Sequence, residues 1–152
     1  LLGSGVQDRA EALMRKRVTD EESGKFELKA DDYAAALKAE FAAKSPALKD
    51  LGLDAAKDAD KVDAVAKQLL NGRTLFFGKA RCTNCHTGDT YTDGGFHNLG
   101  IGADKDGNLP LSEFGRFARL QTGHKDTALV GAFKTPGLRG LLQTAPYMHS
   151  GE

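Results

Sequence analysis

Cys82-Thr83-Asn84-Cys85-His86 decides the reading of this chain. The run has the form C-x-x-C-H, the attachment signal for haem c. Its spacing has a physical reason. Two thiols three positions apart on a helical turn can each add to one vinyl group of the same porphyrin. His86, next in line, then offers an imidazole nitrogen to the iron as proximal ligand. Other uses of a cysteine pair meet obstacles. Cys82 and Cys85 are the only cysteines in the 152 residues, and a zinc site wants about four Cys or His ligands in paired spacing. A thioredoxin-like pair needs a βαβ setting that the helical pattern does not supply. A bare disulfide leaves His86 unexplained. The motif therefore predicts one covalent haem c.

Outward from the motif, composition changes. Residues 1–70 hold four glycines and residues 71–152 the other fourteen, so the first part reads as helices and the second as compact, loop-rich structure. A first helix is expected over about Gln7 to Arg17. A second, from about Asp31 to Lys44, carries Tyr33, Leu37 and Phe41 as one apolar stripe, whose spacing says helix packing and nothing about function. Ser45-Pro46 suits the start of a short helix that Gly52 closes. A further helix is expected from about Asp58 to Leu70, with Val62, Val65, Ala66, Leu69 and Leu70 inward and Asn71-Gly72 ending or kinking it. Beyond it, only turns and short helices are predicted. The fold class is thus all-α: a helical segment over 1–58, then a cytochrome c-like haem domain over 59–152.

Composition also excludes. Lys plus Arg equals Asp plus Glu at 21 each, so there is no broad basic surface for nucleic acid. No apolar run approaches the roughly 20 residues of a membrane-spanning helix. The N-terminus lacks a signal-peptide pattern, yet haem c is attached outside the cytoplasm in bacteria. A periplasmic or otherwise exported protein, its signal already removed, is the expectation.

Four runs surround the haem signal in order: Leu75-Phe76-Phe77-Gly78-Lys79-Ala80 before Cys82, Thr92-Asp93 with Phe96-His97-Asn98, then Gly131-Ala132-Phe133-Lys134-Thr135-Pro136 with Leu138-Arg139, and last Thr144-Ala145-Pro146-Tyr147-Met148-His149. Together they resemble the second haem domain of the bacterial di-haem cytochrome c peroxidase and MauG family, from about Gly72 to Gly151. The resemblance implies peroxide reduction by two haems, with this domain's haem receiving electrons from a small redox protein and a calcium ion between domains. Two departures stand out. One C-x-x-C-H is present, so the family's first haem domain is missing, and the chain stops at Glu152 where members continue toward a sixth iron ligand. Gly140 also replaces the usual Asn, and Ser150 the usual acid. The pattern implies part of a longer protein, or a single-haem member.

The residues leave the sixth iron position open. Met148 is the leading candidate, His149 and His97 are alternatives, and a site without a ligand from this chain is the third reading. Phe77, with Leu75 or Phe76, is expected to cover a porphyrin edge. Arg139 and Lys134 are candidate partners for haem propionates, because buried carboxylates need partners. Asp104-Lys105-Asp106-Gly107-Asn108 with Glu113 imitates part of an EF-hand loop, but Gly102 takes the place of the first carboxylate, so calcium is not expected from this chain alone. The leading functional expectation is one-electron transfer as the electron-accepting haem unit of a peroxidase-like protein. The alternatives are a self-standing single-haem carrier and a five-coordinate haem sensor.

Overall fold

Apolar residues recur at helical spacing through the first part, and helices form there. The computed structural model describes residues 5–20, 26–124 and 126–151. By contacts the chain divides into two compact units, residues 1–83 and 84–152.

In the first unit, helix α1 (Gly5–Asp20) buries Val6, Ala10, Met14 and Val18, a strict four-residue spacing along one face. Helix α2 (Ala30–Ala42) answers with Tyr33, Ala34, Ala36 and Leu37. Of the expected stripe, Tyr33 and Leu37 are buried and Phe41 packs half-buried at the edge. The buried polar side chains of α1 and α2 are paired, as burial demands. Tyr33 donates its hydroxyl to Gln7 Oε1. Arg17 grips Asp32 at 2.9 Å, and the same carboxylate accepts the backbone N–H of Lys29 at the helix start. Arg9 reaches Glu40 at 2.8 Å. Helix α3 (Ala47–Asp50) starts after Pro46, with Ser45 Oγ accepting the Ala47 N–H, and Gly52 closes it in a left-handed turn.

Helix α4 (Val62–Phe77), preceded by one 3-10 turn, departs from expectation. It runs through Asn71 and Gly72 instead of ending there. Glycine inside a helix costs roughly 1 kcal/mol against alanine, and burial of Leu69 before it and Phe76 after it on one face outweighs that. Val62 and Ala66 are buried as well, while Val65 and Leu70 are partly so.

The second unit is mostly turns, with one element the sequence reading did not foresee. Strand β1 (Phe96–Asn98) pairs antiparallel with β2 (Ala132–Lys134), setting Phe96 opposite Lys134, His97 opposite Phe133 and Asn98 opposite Ala132. Three residues are too few to show strand alternation, so the pairing leaves no mark in the pattern. The chain is mostly helical, as expected, with this small sheet added. Asn98 holds its end of the ladder twice, donating to Val130 O and accepting from Gly100 N. Gly115 bridges to Ala132 so closely that a Cβ at 115 would sit 2.3 Å from the Ala132 carbonyl oxygen. Glycine is required there.

Candidate functional site

A 3-10 turn, Cys82–Asn84, opens the attachment motif. Cys82 falls in the first unit, whereas Cys85 and His86 begin the second. Both thiols are half-buried.

Within the second unit, Cys85 and His86 line a cavity of about 650 Å³. That lies within the roughly 300–1,000 Å³ usual for bound cofactors and ligands. Pro136, Leu138, Leu141 and Tyr147 give it apolar walls, and Met148, His149 and His97 also face it. His86 is oriented. Its Nδ1 lies 2.8 Å from the Tyr91 backbone carbonyl, which only accepts hydrogen bonds, so Nδ1 carries a hydrogen. Metal-bound histidines are held in this way by an outer partner that fixes tautomer and ring direction. Nε2 is then the ring nitrogen that would hold a metal, and the residues present fit a haem.

Met148 lines the cavity with 57% of its surface exposed and a left-handed backbone, φ 59°. Met14 is packed in the helical core of the first unit. His149 stacks on Phe133, centroids 3.5 Å apart and planes 10° off parallel, and its Nε2 contacts the Glu113 carboxylate. His97 Nε2 lies 2.7 Å from Asp93 Oδ2. Each alternative histidine thus has one nitrogen on a carboxylate. Phe77 ends α4 half-exposed, edge-on to Phe76 and under the Arg73 guanidinium at 4.5 Å. Arg73 Nε is itself buried without an acceptor among the described residues. Arg139 reaches back to the Asp89 carbonyl and lies over the Tyr91 ring. Asp104 turns its carboxylate onto its own loop, accepting from Asp106 N and Asn108 N, while Glu113 is engaged by His149. The groups that imitated an EF-hand are thus bonded within the protein.

Sequence reasoning missed the Tyr91 carbonyl and the Glu113–His149 pair. A backbone acceptor carries no residue signature, and Glu113 and His149 are 36 positions apart.

Asp93 anchors the loop after the motif. The Gly95 N–H, then His97, hold its carboxyl well below the usual carboxylate range, at about 2. A depressed acid pKa contributes stability that is present above the ordinary value near 3.8 and lost as pH falls toward about 2. Carbon-13 NMR of the Asp93 carboxyl should show a midpoint near 2. His97→Ala should raise it only in part, because the larger contribution, from Gly95, remains.

Comparison with known proteins gives relatives for the motif-bearing part. The chain is 41% identical over 95 residues to the methylamine utilization protein MauG of Methylorubrum extorquens, covering 62% of this chain and 24% of that protein. It is 35% identical over 106 residues to the cytochrome-c peroxidase IdrP2 of Denitromonas iodatirespirans, covering 58% and 29%. The MauG of Methylophilus methylotrophus is 40% identical over 90 residues, covering 58% and 24%. The chain thus spans about a quarter of the length of the curated relatives it matches. No family model and no solved structure matches.

Proposed function

We infer, for a chain homologous over about three fifths of its length to MauG and cytochrome-c peroxidase proteins, that it carries one haem c and moves single electrons through it. Cys82 and Cys85 tether the group, and His86 binds the iron through Nε2. Bound there, the haem supplies a ferric/ferrous couple for one-electron exchange. The observation that carries this reading is the His86–Tyr91 hydrogen bond at the wall of an apolar cavity. It fixes one imidazole tautomer before any metal arrives, so little reorganisation accompanies ligation.

The role proposed for this unit is that of electron-accepting haem domain in a peroxide-reducing di-haem oxidoreductase, with the haem domain spanning 59–152 and helix α4 leading into the motif. A small redox protein supplies the electrons, and a second haem carries out the step on peroxide. Pro136, Leu138, Leu141 and Tyr147 keep water from the cofactor, and Tyr91 holds the proton on His86 Nδ1. Met148 is the proposed sixth ligand, supported by its place on the same cavity as His86 and by its thioether, which favours ferrous iron. Export to the periplasm follows from haem c attachment.

Absorption spectra of the purified holoprotein, ferric and ferrous, with and without carbon monoxide, test this. The expected result is a haem c band, a low-spin iron with the far-red Met-to-iron feature, and no response to carbon monoxide. A high-spin iron that takes up carbon monoxide removes Met148 from the ligand set. Rapid peroxide turnover by this chain alone overturns the electron-transfer role.

A further inference from the structure

We propose that Arg139 is a positioning residue for the proximal imidazole, pinning the Asp89–Tyr91 turn whose carbonyl holds His86. The inference rests on the haem c reading above and adds to it a residue outside the ligand set. Arg139 Nε donates to the Asp89 carbonyl at 2.5 Å, across 50 residues of sequence. Its guanidinium carbon lies 5.6 Å from the centroid of the Tyr91 ring, within the range of a cation–π contact. One side chain therefore holds the turn by its backbone and by its aromatic ring.

The turn needs holding. Tyr91 is buried, 8% exposed, and its backbone is left-handed at φ 55°. A bulky residue persists in that region only where its surroundings over-determine it. Locally, Tyr91 N donates to Gly88 O, and Thr92 N to Thr87 O. Further support comes from the segment Thr135 to Arg139. Thr92 Oγ1 donates to Thr135 O at 2.7 Å, Leu138 N donates to Thr90 O at 3.2 Å, and Arg139 closes the end. What the turn delivers is the Tyr91 carbonyl, 2.8 Å from His86 Nδ1. Movement of the turn would loosen that bond first.

A rival role for Arg139 is charge compensation of a haem propionate. The two roles differ in what lysine can replace. Lysine keeps the charge but lacks the planar fork that donates sideways to a carbonyl while lying on a ring.

The test is proton NMR of the reduced holoprotein, following exchange with water of the His86 Nδ1 proton. Arg139→Gln and Arg139→Lys are each expected to speed that exchange by about tenfold or more, the effect of losing one charge-assisted hydrogen bond from local stability. Recovery of the wild-type rate in Arg139→Lys, or an unchanged rate in both variants, overturns the proposal. If the arginine variants do not fold, Tyr91→Leu removes the ring and keeps the carbonyl. Faster exchange there supports the proposal, and an unchanged rate overturns it. Absence of a pyridine haemochrome band from the wild-type protein overturns the haem reading itself, and the inference with it, before any variant is compared.

Discussion

Exchange of Cys82 and Cys85 together for alanine is expected to abolish covalent haem completely. Each thiol is proposed to make one thioether, and the 152 residues hold no other cysteine to take its place. Haem associated with the double variant should pass entirely into acidified acetone, whereas the wild-type haem stays with the protein. Either single variant keeps one thioether and so retains haem, with the pyridine haemochrome band displaced by the vinyl group left unreacted. His86→Ala should behave differently, keeping covalent haem while losing the proximal nitrogen and with it the low-spin spectrum. Haem that survives acid extraction in the double variant would remove both cysteines from the tether role.

The second large effect lies in the helical unit. Leu37 is fully buried in α2 among residues of α1 and α4, so Leu37→Ala removes apolar contacts and leaves a cavity. Such changes cost about 2–5 kcal/mol, against a total domain stability of only about 5–15 kcal/mol. The midpoint of urea unfolding, followed by helical circular dichroism, should fall markedly. Leu75→Ala is the control. Leu75 is 45% exposed on α4, and surface changes of that kind stay within about 0.5 kcal/mol. Equal shifts from the two variants would contradict the placement of Leu37 in the core.

What could be read from residue order alone was the chemistry that is local in the chain. The C-x-x-C-H signal is five consecutive residues because two thioethers and a ligand must reach one porphyrin, so no folding information is needed to see it. Tyr33 and Leu37 were legible for a similar reason, since four-residue spacing is the geometry of one helix face. Helix α4 was harder. Gly72 reads as a stop, and only the burial of Phe76 beyond it shows why the helix goes on. Strands β1 and β2 are three residues each and define one another only by pairing. Arg139 is legible in the sequence only as a candidate partner for carboxylates. The structure places it on a carbonyl 50 residues earlier, a contact that depends on how the turns close. Glu113 only imitates the end of an EF-hand loop in the sequence, and its contact with His149, 36 positions away, depends on the fold.

Because β1 and β2 are paired directly, everything from residue 99 to residue 131 is an excursion whose two ends are already fastened at Asn98 and Ala132. Lengthening a loop with fixed ends is cheap, about 0.6 kcal/mol for each doubling of its length. Insertions can therefore accumulate in its outer turns, away from Gly115, which bridges to Ala132, and Glu113, which holds His149, without moving the strand that carries His97 or the segment that carries Arg139. Those outer turns are a natural place for descendants to acquire new surface, whereas the ends of the excursion, with Leu99 and Ile101 on the cavity, are held in register.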